Sequence, residues 1–183
     1  DDSFWLLNLV ENLLSVTRIE DGGMKIKKQA DMLEDLIEEA LKHISRKSRE
    51  FSIRVNMEDE MQLVNVDSRL ILQVIINIVD NAVKYTPPGG EIVISTKKEK
   101  SFVHVQIADN GNGIPDEDKP HIFEMFYTAN SKITDSKRSL GLGLALCKSI
   151  INAHGGRITV YDNKPKGAVF DFTVPAEEVE IHE

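Results

Sequence analysis

The sequence predicts an α+β protein: a two-layer sandwich in which one mixed, mainly antiparallel sheet is covered on one face by three helices. Three observations carry this. Short alternating apolar segments come in adjacent pairs, around Ile92/Ile94 with Val103/Val105/Ile107, and 157–161 with 168–174, the spacing of antiparallel hairpins. Helical periodicity falls in separate blocks between those pairs. The phosphate loops of doubly wound folds, GxxxxGK[ST] and an early GxGxxG, are absent.

Residues 3–20 open the chain with Leu6, Leu9, Leu13 and Val16 spaced three, four, three, widened by Leu7, Val10 and Leu14. This predicts an amphipathic helix whose apolar face meets another chain or domain, stopped by Asp21-Gly22-Gly23. Residues 24–29 read as a short strand. Asp31 is placed to cap a helix over 32–46, with Leu33, Leu36, Ile37, Ala40, Leu41 and Ile44 on its apolar face. Phe51, Ile53 and Val55 alternate as a strand, and Leu63 and Val66 suggest another.

Residues 69–86 then form the helix on which the chain is built. Asp67 is its expected cap. Nearly every face is apolar, so the helix is predicted to be buried on most sides. Its polar residues Gln73, Asn77, Asp80, Asn81 and Lys84 fall in one arc about 100° wide. A buried polar group left unpaired costs about 1–3 kcal/mol, so the stripe must face polar protein groups or a polar ligand. Pro87-Pro88-Gly89-Gly90 ends the helix, and two strands follow, joined through 97–100. Residues 120–126 make a short turn with Ile122, Phe123 and Phe126 inward. Residues 127–139 are mostly polar, a length without periodicity that marks a functional or mobile segment. A helix over 142–153 ends at Gly155-Gly156. Pro175 and the acidic residues after it read as a frayed tail.

The formal net charge of -8 argues against non-specific binding of nucleic acid, whose phosphates favour basic surfaces. An anionic ligand would need local cations, dipoles or a metal ion. The one cysteine, Cys147, allows no intrachain disulfide. No apolar run reaches the length of a membrane span and no signal peptide is present. The chain starts inside a helical pattern without methionine, which reads as part of a longer protein.

Two glycine motifs bear on chemistry. In ADNGNGIP, Asp109 ends an apolar strand and Gly111 and Gly113 follow. A carboxylate at a buried strand end can accept a hydrogen bond from an exocyclic amine, although an ordinary Asn-Gly turn has the same wording. In SLGLGLA, Gly141 and Gly143 stand at a helix N-terminus, where free N–H groups and the dipole attract phosphate. Lys132, Lys137 and Arg138 just before them are candidate phosphate partners.

The ordered blocks NIVDNAVKYT, DNGNGIP, IFEMFY and SLGLGLALCKSIINAHGG resemble the N, G1, F and G2 boxes of the catalytic and ATP-binding domain of sensor histidine kinases. That domain has the Bergerat (GHKL) fold shared with gyrase, Hsp90 and MutL ATPases. FYTANSK and RSLGLGLALCKSIINAHGG are most similar to the potassium-responsive KdpD type. The resemblance implies a division into 1–22, the second helix of a dimerisation and phosphotransfer hairpin, 23–176, the catalytic domain, and 177–183, an acidic tail. It implies ATP and Mg²⁺ as ligands. Asn81 would hold Mg²⁺ with Asn77 supporting it, Lys84 would reach the phosphates, and Tyr85 would lie against the nucleotide. Asp109 would accept the adenine amine, with Gly111, Gly113 and Ile114 shaping its loop. Phe123 and Phe126 would pin a lid that closes through Gly141, Leu142, Gly143 and Leu144, with Arg138 on the phosphates.

An amide at Asn77 stands where hydrolysing relatives carry a glutamate, and cannot act as a general base. Asn77, Lys84 and Arg138 would therefore serve transfer to a histidine rather than to water, chiefly by positioning and charge neutralisation. The implied protein is the cytoplasmic part of a membrane-anchored bacterial two-component sensor. It would dimerise through the N-terminal helix and relay phosphate to a response regulator, touching the membrane only through regions upstream. None of His43, His104, His121, His154 and His182 has the setting of a phosphoacceptor. The competing readings are a hydrolytic ATPase of the same fold and an interaction module that has lost the nucleotide.

Overall fold

Alternation and helical periodicity set the architecture. The computed structural model describes residues 25–44, 51–125, 127 and 143–178, together with residues 7, 10, 11 and 14. Along it run β1 (Gln29–Met32), α1 (Leu33–Lys42), β2 (Ser52–Met57), β3 (Leu63–Val66), α2 (Ser68–Tyr85), β4 (Glu91–Glu99), β5 (Phe102–Asp109), α3 (Gly143–Ala153), β6 (Ile158–Asp162) and β7 (Ala168–Pro175). Five strands form a sheet in the order β2-β4-β5-β7-β6. β2 runs parallel to β4 and the other pairings are antiparallel, so the sheet is mixed and mainly antiparallel as the sequence predicts. Ile92, Ile94, Val103, Val105 and Ile107 are buried on one face. α2 lies against β4 and β5, α3 against β6 and β7, and both α1 and α3 pack along α2.

α2 buries Ile71, Val74, Ile75, Ile78, Val79, Ala82 and Val83. Each fully buried isoleucine contributes about 1.5–3 kcal/mol, which fixes the helix axially and in rotation. Gln73, Asn77, Asp80, Asn81 and Lys84 are all half-buried, so the polar stripe runs along one margin of a core helix. α3 ends in a Schellman motif. Gly155 takes φ +76, its N–H donates to Asn152 O, and the Gly156 N–H donates to Ile151 O.

The short elements depart from expectation. β1 and β3 form a separate two-stranded ribbon rather than joining the main sheet. The ribbon covers the end of the core with Val64 and Val66 and touches β7 through a Val64–Ala176 bridge. Residues 29–32 are drawn into this pairing, so β1 lies later than 24–29 and α1 starts one residue later than predicted. Asp31 is therefore a strand residue opposite Val64, and Met32 is the cap position. Asp67 does occupy the cap position of α2, but its side chain makes no capping bond. Its Oδ2 instead accepts the Lys27 N–H at 3.0 Å. β4 continues through Lys97 to Glu99, and the turn is confined to Lys100 and Ser101, with Lys100 at φ +56. Pro175 to Glu177 are not frayed: Pro175 pairs with Phe102, and the Glu177 N–H donates to Leu63 O. In the N-terminal segment Leu7, Val10 and Leu14 are helical and about half exposed. Glu11 is helical and exposed as well, and the other residues of the predicted 3–20 helix lie outside the described residues, as do 45–46.

One buried histidine ties two helices together. The Asp67 N–H donates to His154 Nε2 at 3.1 Å, so the Nδ1–H must be the donor to Ile150 O at 2.8 Å. His154 thus joins the start of α2 to the end of α3.

Candidate functional site

Alternation along β5 delivers Asp109 to the buried face. The row Val103, Val105, Ile107 ends on it, and it is 8% exposed. A carboxylate there needs donors. Oδ1 accepts the Gly111 N–H at 2.9 Å and the Ala168 N–H at 3.3 Å. Burial pushes the Asp109 carboxyl above its ordinary pKa, and those two N–H groups oppose the shift. Its own carbonyl accepts Asn163 Nδ2 at 2.7 Å. Gly167 has φ +108, and a Cβ there would lie 1.9 Å from Asp109 O. The turn between β6 and β7 therefore clasps the strand end, and only glycine fits the clasp.

Gly111 is needed for space. A Cβ on it would lie 2.9 Å from Thr86 Oγ1, 3.1 Å from Tyr85 O and 3.2 Å from Asp109 Oδ1. The C-terminal end of α2 and the tip of β5 thus meet at Gly111. Thr86 is 5% exposed, and its hydroxyl has no hydrogen-bond partner among the described residues. Beside it, Tyr85 is partly exposed, and Lys84 Nζ stands 5.4 Å from the Tyr85 ring centroid. Gly113 takes φ +77, and Ile114 packs on the core just beyond.

The other end of the stripe meets α3. Asn77 Nδ2 donates to Gly143 O at 3.3 Å, and Asn77 Oδ1 accepts Gln73 Nε2 at 2.7 Å. Asn81 is half-buried one turn further along α2, and Leu144 is half-buried against the core. At 1.5 Å per residue, Asn77 and Thr86 are about 14 Å apart along the helix, on the scale of a nucleoside triphosphate. Behind Asp109, Phe123 packs edge-on against Phe170 with ring centroids 6.1 Å apart. Tyr127 donates to Asp118, which holds its phenol up at about 12.

The structure therefore brings Asp109, Gly111 and the 84–86 end of α2 together, and joins Asn77 to Gly143. Phe126, Arg138, Gly141 and Leu142 lie outside the described residues, as do Lys132, Lys137 and the 128–139 part of the expected lid. Sequence reasoning missed Thr86, Asn163, Gly167 and Ala168. Of these only Gly167, directly before a predicted strand, carried a local signal. Among the described residues no group of three His, Cys, Asp or Glu is placed to hold a metal ion. A cavity lined by Asp59, Met61, Gln62, Lys98 and Glu177, among others, lies at the far end of β4 and contains none of the predicted residues.

Comparison with known proteins defines the class. Residues 66–178 match the family of histidine kinase-, DNA gyrase B- and HSP90-like ATPases, and the chain belongs to that family. Within it, the chain is 43% identical over 177 residues to sensor protein KdpD of Clostridium acetobutylicum, covering 97% of this chain. It is 34% identical over 179 residues to KdpD of Escherichia coli, covering 96%. It spans 20% of the length of each of these relatives. The catalytic domain of histidine kinase ThkA matches with a TM-score of 0.72 at 33% identity, over 81% of this chain and 95% of that one. ThkA in complex with the response regulator TrrA matches with a TM-score of 0.72 at 29% identity, over 93% of this chain and 49% of that one. The α+β sandwich and the histidine kinase resemblance, KdpD type included, are borne out.

Proposed function

We propose that the chain is the ATP-binding, phosphoryl-donating part of a sensor histidine kinase. It would pass the γ-phosphoryl group of ATP to a histidine on a dimerisation helix, for relay to a response-regulator aspartate. The observation that carries this is the corner at Asp109: a buried carboxylate beside a hydroxyl that has no partner among the described residues, with glycine keeping the two side chains clear of a Cβ. That corner fits the amine edge of adenine. The stripe from Lys84 back to Asn77 leads from it to the Gly143 carbonyl, and fits a phosphate chain. Asn81 would hold Mg²⁺ through its amide oxygen, which suits a hard cation shared with phosphate oxygens; when bound, the ion supplies charge neutralisation. Lys84 would bind phosphate, Tyr85 would flank the base, and Phe123 would brace the start of the lid. Roles for Arg138, Gly141, Leu142 and Phe126 rest on the family resemblance.

Asn77 bears on the acceptor. Its amide already bonds to Gly143 O and Gln73, and it has no basic atom to take a proton from water. Transfer to a histidine needs no such base. The described histidines are already engaged: His43 with Glu39, His104 with Asp171, His121 with Glu124, and His154 inside the core. The acceptor is therefore assigned to the hairpin of which residues 1–22 would be the second helix, with 23–176 as the catalytic domain and 177–183 as a tail. The apolar stripe of Leu7, Val10 and Leu14 supports a dimerising role for that helix. The ThkA–TrrA complex supports a response regulator as partner. Among the described residues no helix is long and apolar enough to cross a membrane; the placement as a cytoplasmic domain of a membrane-anchored sensor rests on the likeness to the KdpD sensor proteins.

A thermal shift tests the reading. ATP with Mg²⁺ at about 100 times Kd should stabilise the chain by about 2.7 kcal/mol, a rise of roughly 5–10 °C for a domain of this size. Asn81→Asp should abolish the rise. Free phosphate released at a rate typical of dedicated ATPases would favour the hydrolytic reading instead, and no shift would favour an interaction module.

A further inference from the structure

Where the polar stripe of α2 meets α3, a hydrogen-bond chain has its direction fixed from one end. The Gly143 carbonyl can only accept, so Asn77 turns Nδ2 toward it, at 3.3 Å. That leaves Asn77 Oδ1 facing back along the helix. Gln73, four residues earlier on the same face, meets it with Nε2 at 2.7 Å. Gln73 must therefore donate. A residue that only accepts would turn the Asn77 amide over and set its oxygen against the Gly143 carbonyl. One turn along α3, the buried Cys147 Sγ donates to Val74 O at 3.8 Å, so the start of α3 is fastened to α2 at a second point.

We propose that Gln73 is a positioning residue for the phosphate end of the site, acting through Asn77 rather than on the ligand. Its amide holds the Asn77 side chain in one orientation before a ligand arrives, and through Asn77 it keeps the Gly143 end of α3 in place. Asn77 Oδ1 keeps a second lone pair for a ligand. An amide free to turn over spends part of its time with the wrong atom toward the site, and affinity falls with the fraction of chains in the competent state. A supporting hydrogen bond of this kind holds a binding group within the narrow geometry it needs. The effect belongs to one end only. Asn77 stands about 14 Å from Thr86 along α2, so the corner at Asp109 should not feel Gln73. The inference rests on the reading of the stripe as a phosphate track.

The test is calorimetric binding to the whole chain, with Mg²⁺·ATP and adenosine as probes. Gln73→Met keeps the length of the side chain and removes the donor. It should bind Mg²⁺·ATP about five- to tenfold more weakly, the worth of one hydrogen bond, and adenosine within about twofold of the wild type. A merely structural role would weaken both probes alike. In an Asn77→Ala background Gln73→Met should cost nothing further, because the group it positions is gone. Unchanged Mg²⁺·ATP affinity of Gln73→Met, an equal loss for adenosine, or a loss that adds in full to that of Asn77→Ala overturns the role of Gln73 and leaves the nucleotide site standing. A wild type that binds neither probe overturns the nucleotide reading as well. If Gln73→Met does not fold, Gln73→Ala, neutral and a strong helix former, takes its place and the same outcomes decide.

Discussion

Replacing Asp109 by Asn separates stability from binding. The carboxamide is isosteric, and its oxygen can accept the Gly111 and Ala168 N–H groups as Oδ1 does. What disappears is a charge that burial disfavours. The Asp109 carboxyl lies above its ordinary value of 3.8 in spite of both donors. The sign follows from linkage: a carboxyl with a raised folded pKa binds protons more readily in the folded state. Stability is then lost as pH rises from the unfolded value through the folded one, and at pH 7 the charge is a net cost. Asp109→Asn should therefore melt at or above the wild-type temperature at neutral pH. The gain is bounded by about 1.5 kcal/mol, one hydrogen bond's worth, or up to roughly 5 °C. Its ATP affinity should fall about 10- to 100-fold, since a charged acceptor is replaced where the base amine would donate. Urea titration between pH 5 and 8, with calorimetry of Mg²⁺·ATP binding, checks both halves. A loss of more than about 2 kcal/mol without ligand would show that the fold itself needs the charge. Unchanged ATP affinity would remove Asp109 from the site.

Burial holds the His154 pKa below its ordinary value, so the stability His154 provides is present above the unfolded value of about 6.5 and is lost as pH falls toward the folded one. Asp67 opposes that shift, and Lys28 reinforces it. His154→Ala should lose about 2–4 kcal/mol at pH 7.5, by leaving the Asp67 N–H unpaired and emptying the buried ring's space, and should flatten the pH dependence of urea midpoints between 5.5 and 7. Two glycines with positive φ should differ in cost. Gly155→Ala, with nothing within 4 Å of its Cβ, should lose about 1–2 kcal/mol in chemical denaturation. Gly167→Ala, aimed at Asp109 O, should lose more than about 3 kcal/mol.

What the sequence disclosed and what it hid divide along one line. Asp109 was legible because period-two alternation carries through Val103, Val105 and Ile107 to it, and the α2 stripe because helical periodicity is local. The two capping aspartates misled for the opposite reason. Asp67 and Asp31 have the right chemistry for an N-cap, but distant groups competed. The Lys27 backbone claimed the carboxylate of Asp67, and strand pairing with Val64 claimed Asp31. Thr86 was unreadable in the same way. Next to Pro87 it looks like the last residue of a helix, and its hydroxyl becomes significant only when Gly111 and Asp109 arrive beside it. The clasp of Asn163, Gly167 and Ala168 on Asp109 likewise exists only after β7 has paired with β5.

The distribution of satisfied and unsatisfied polar groups gives the site its direction. At the α3 end of the stripe, Gln73, Asn77 and the Gly143 carbonyl form a chain that satisfies itself, so the fold gains from those residues whether or not a ligand comes. At the other end burial disfavours the Asp109 charge and the Thr86 hydroxyl has no partner among the described residues, and neither arrangement helps the folded state. A core optimised only for stability would replace both, at little cost in shape, by Asn and Val. Two buried side-chain atoms lack a partner among the described residues, Asp31 Oδ2 and Thr86 Oγ1, and the second lies beside Asp109; such groups mark functional or strained places. On the proposed reading, the Asp109 corner is where ligand and protein would share an unmet demand, and the Asn77 end is where the protein has already met its own.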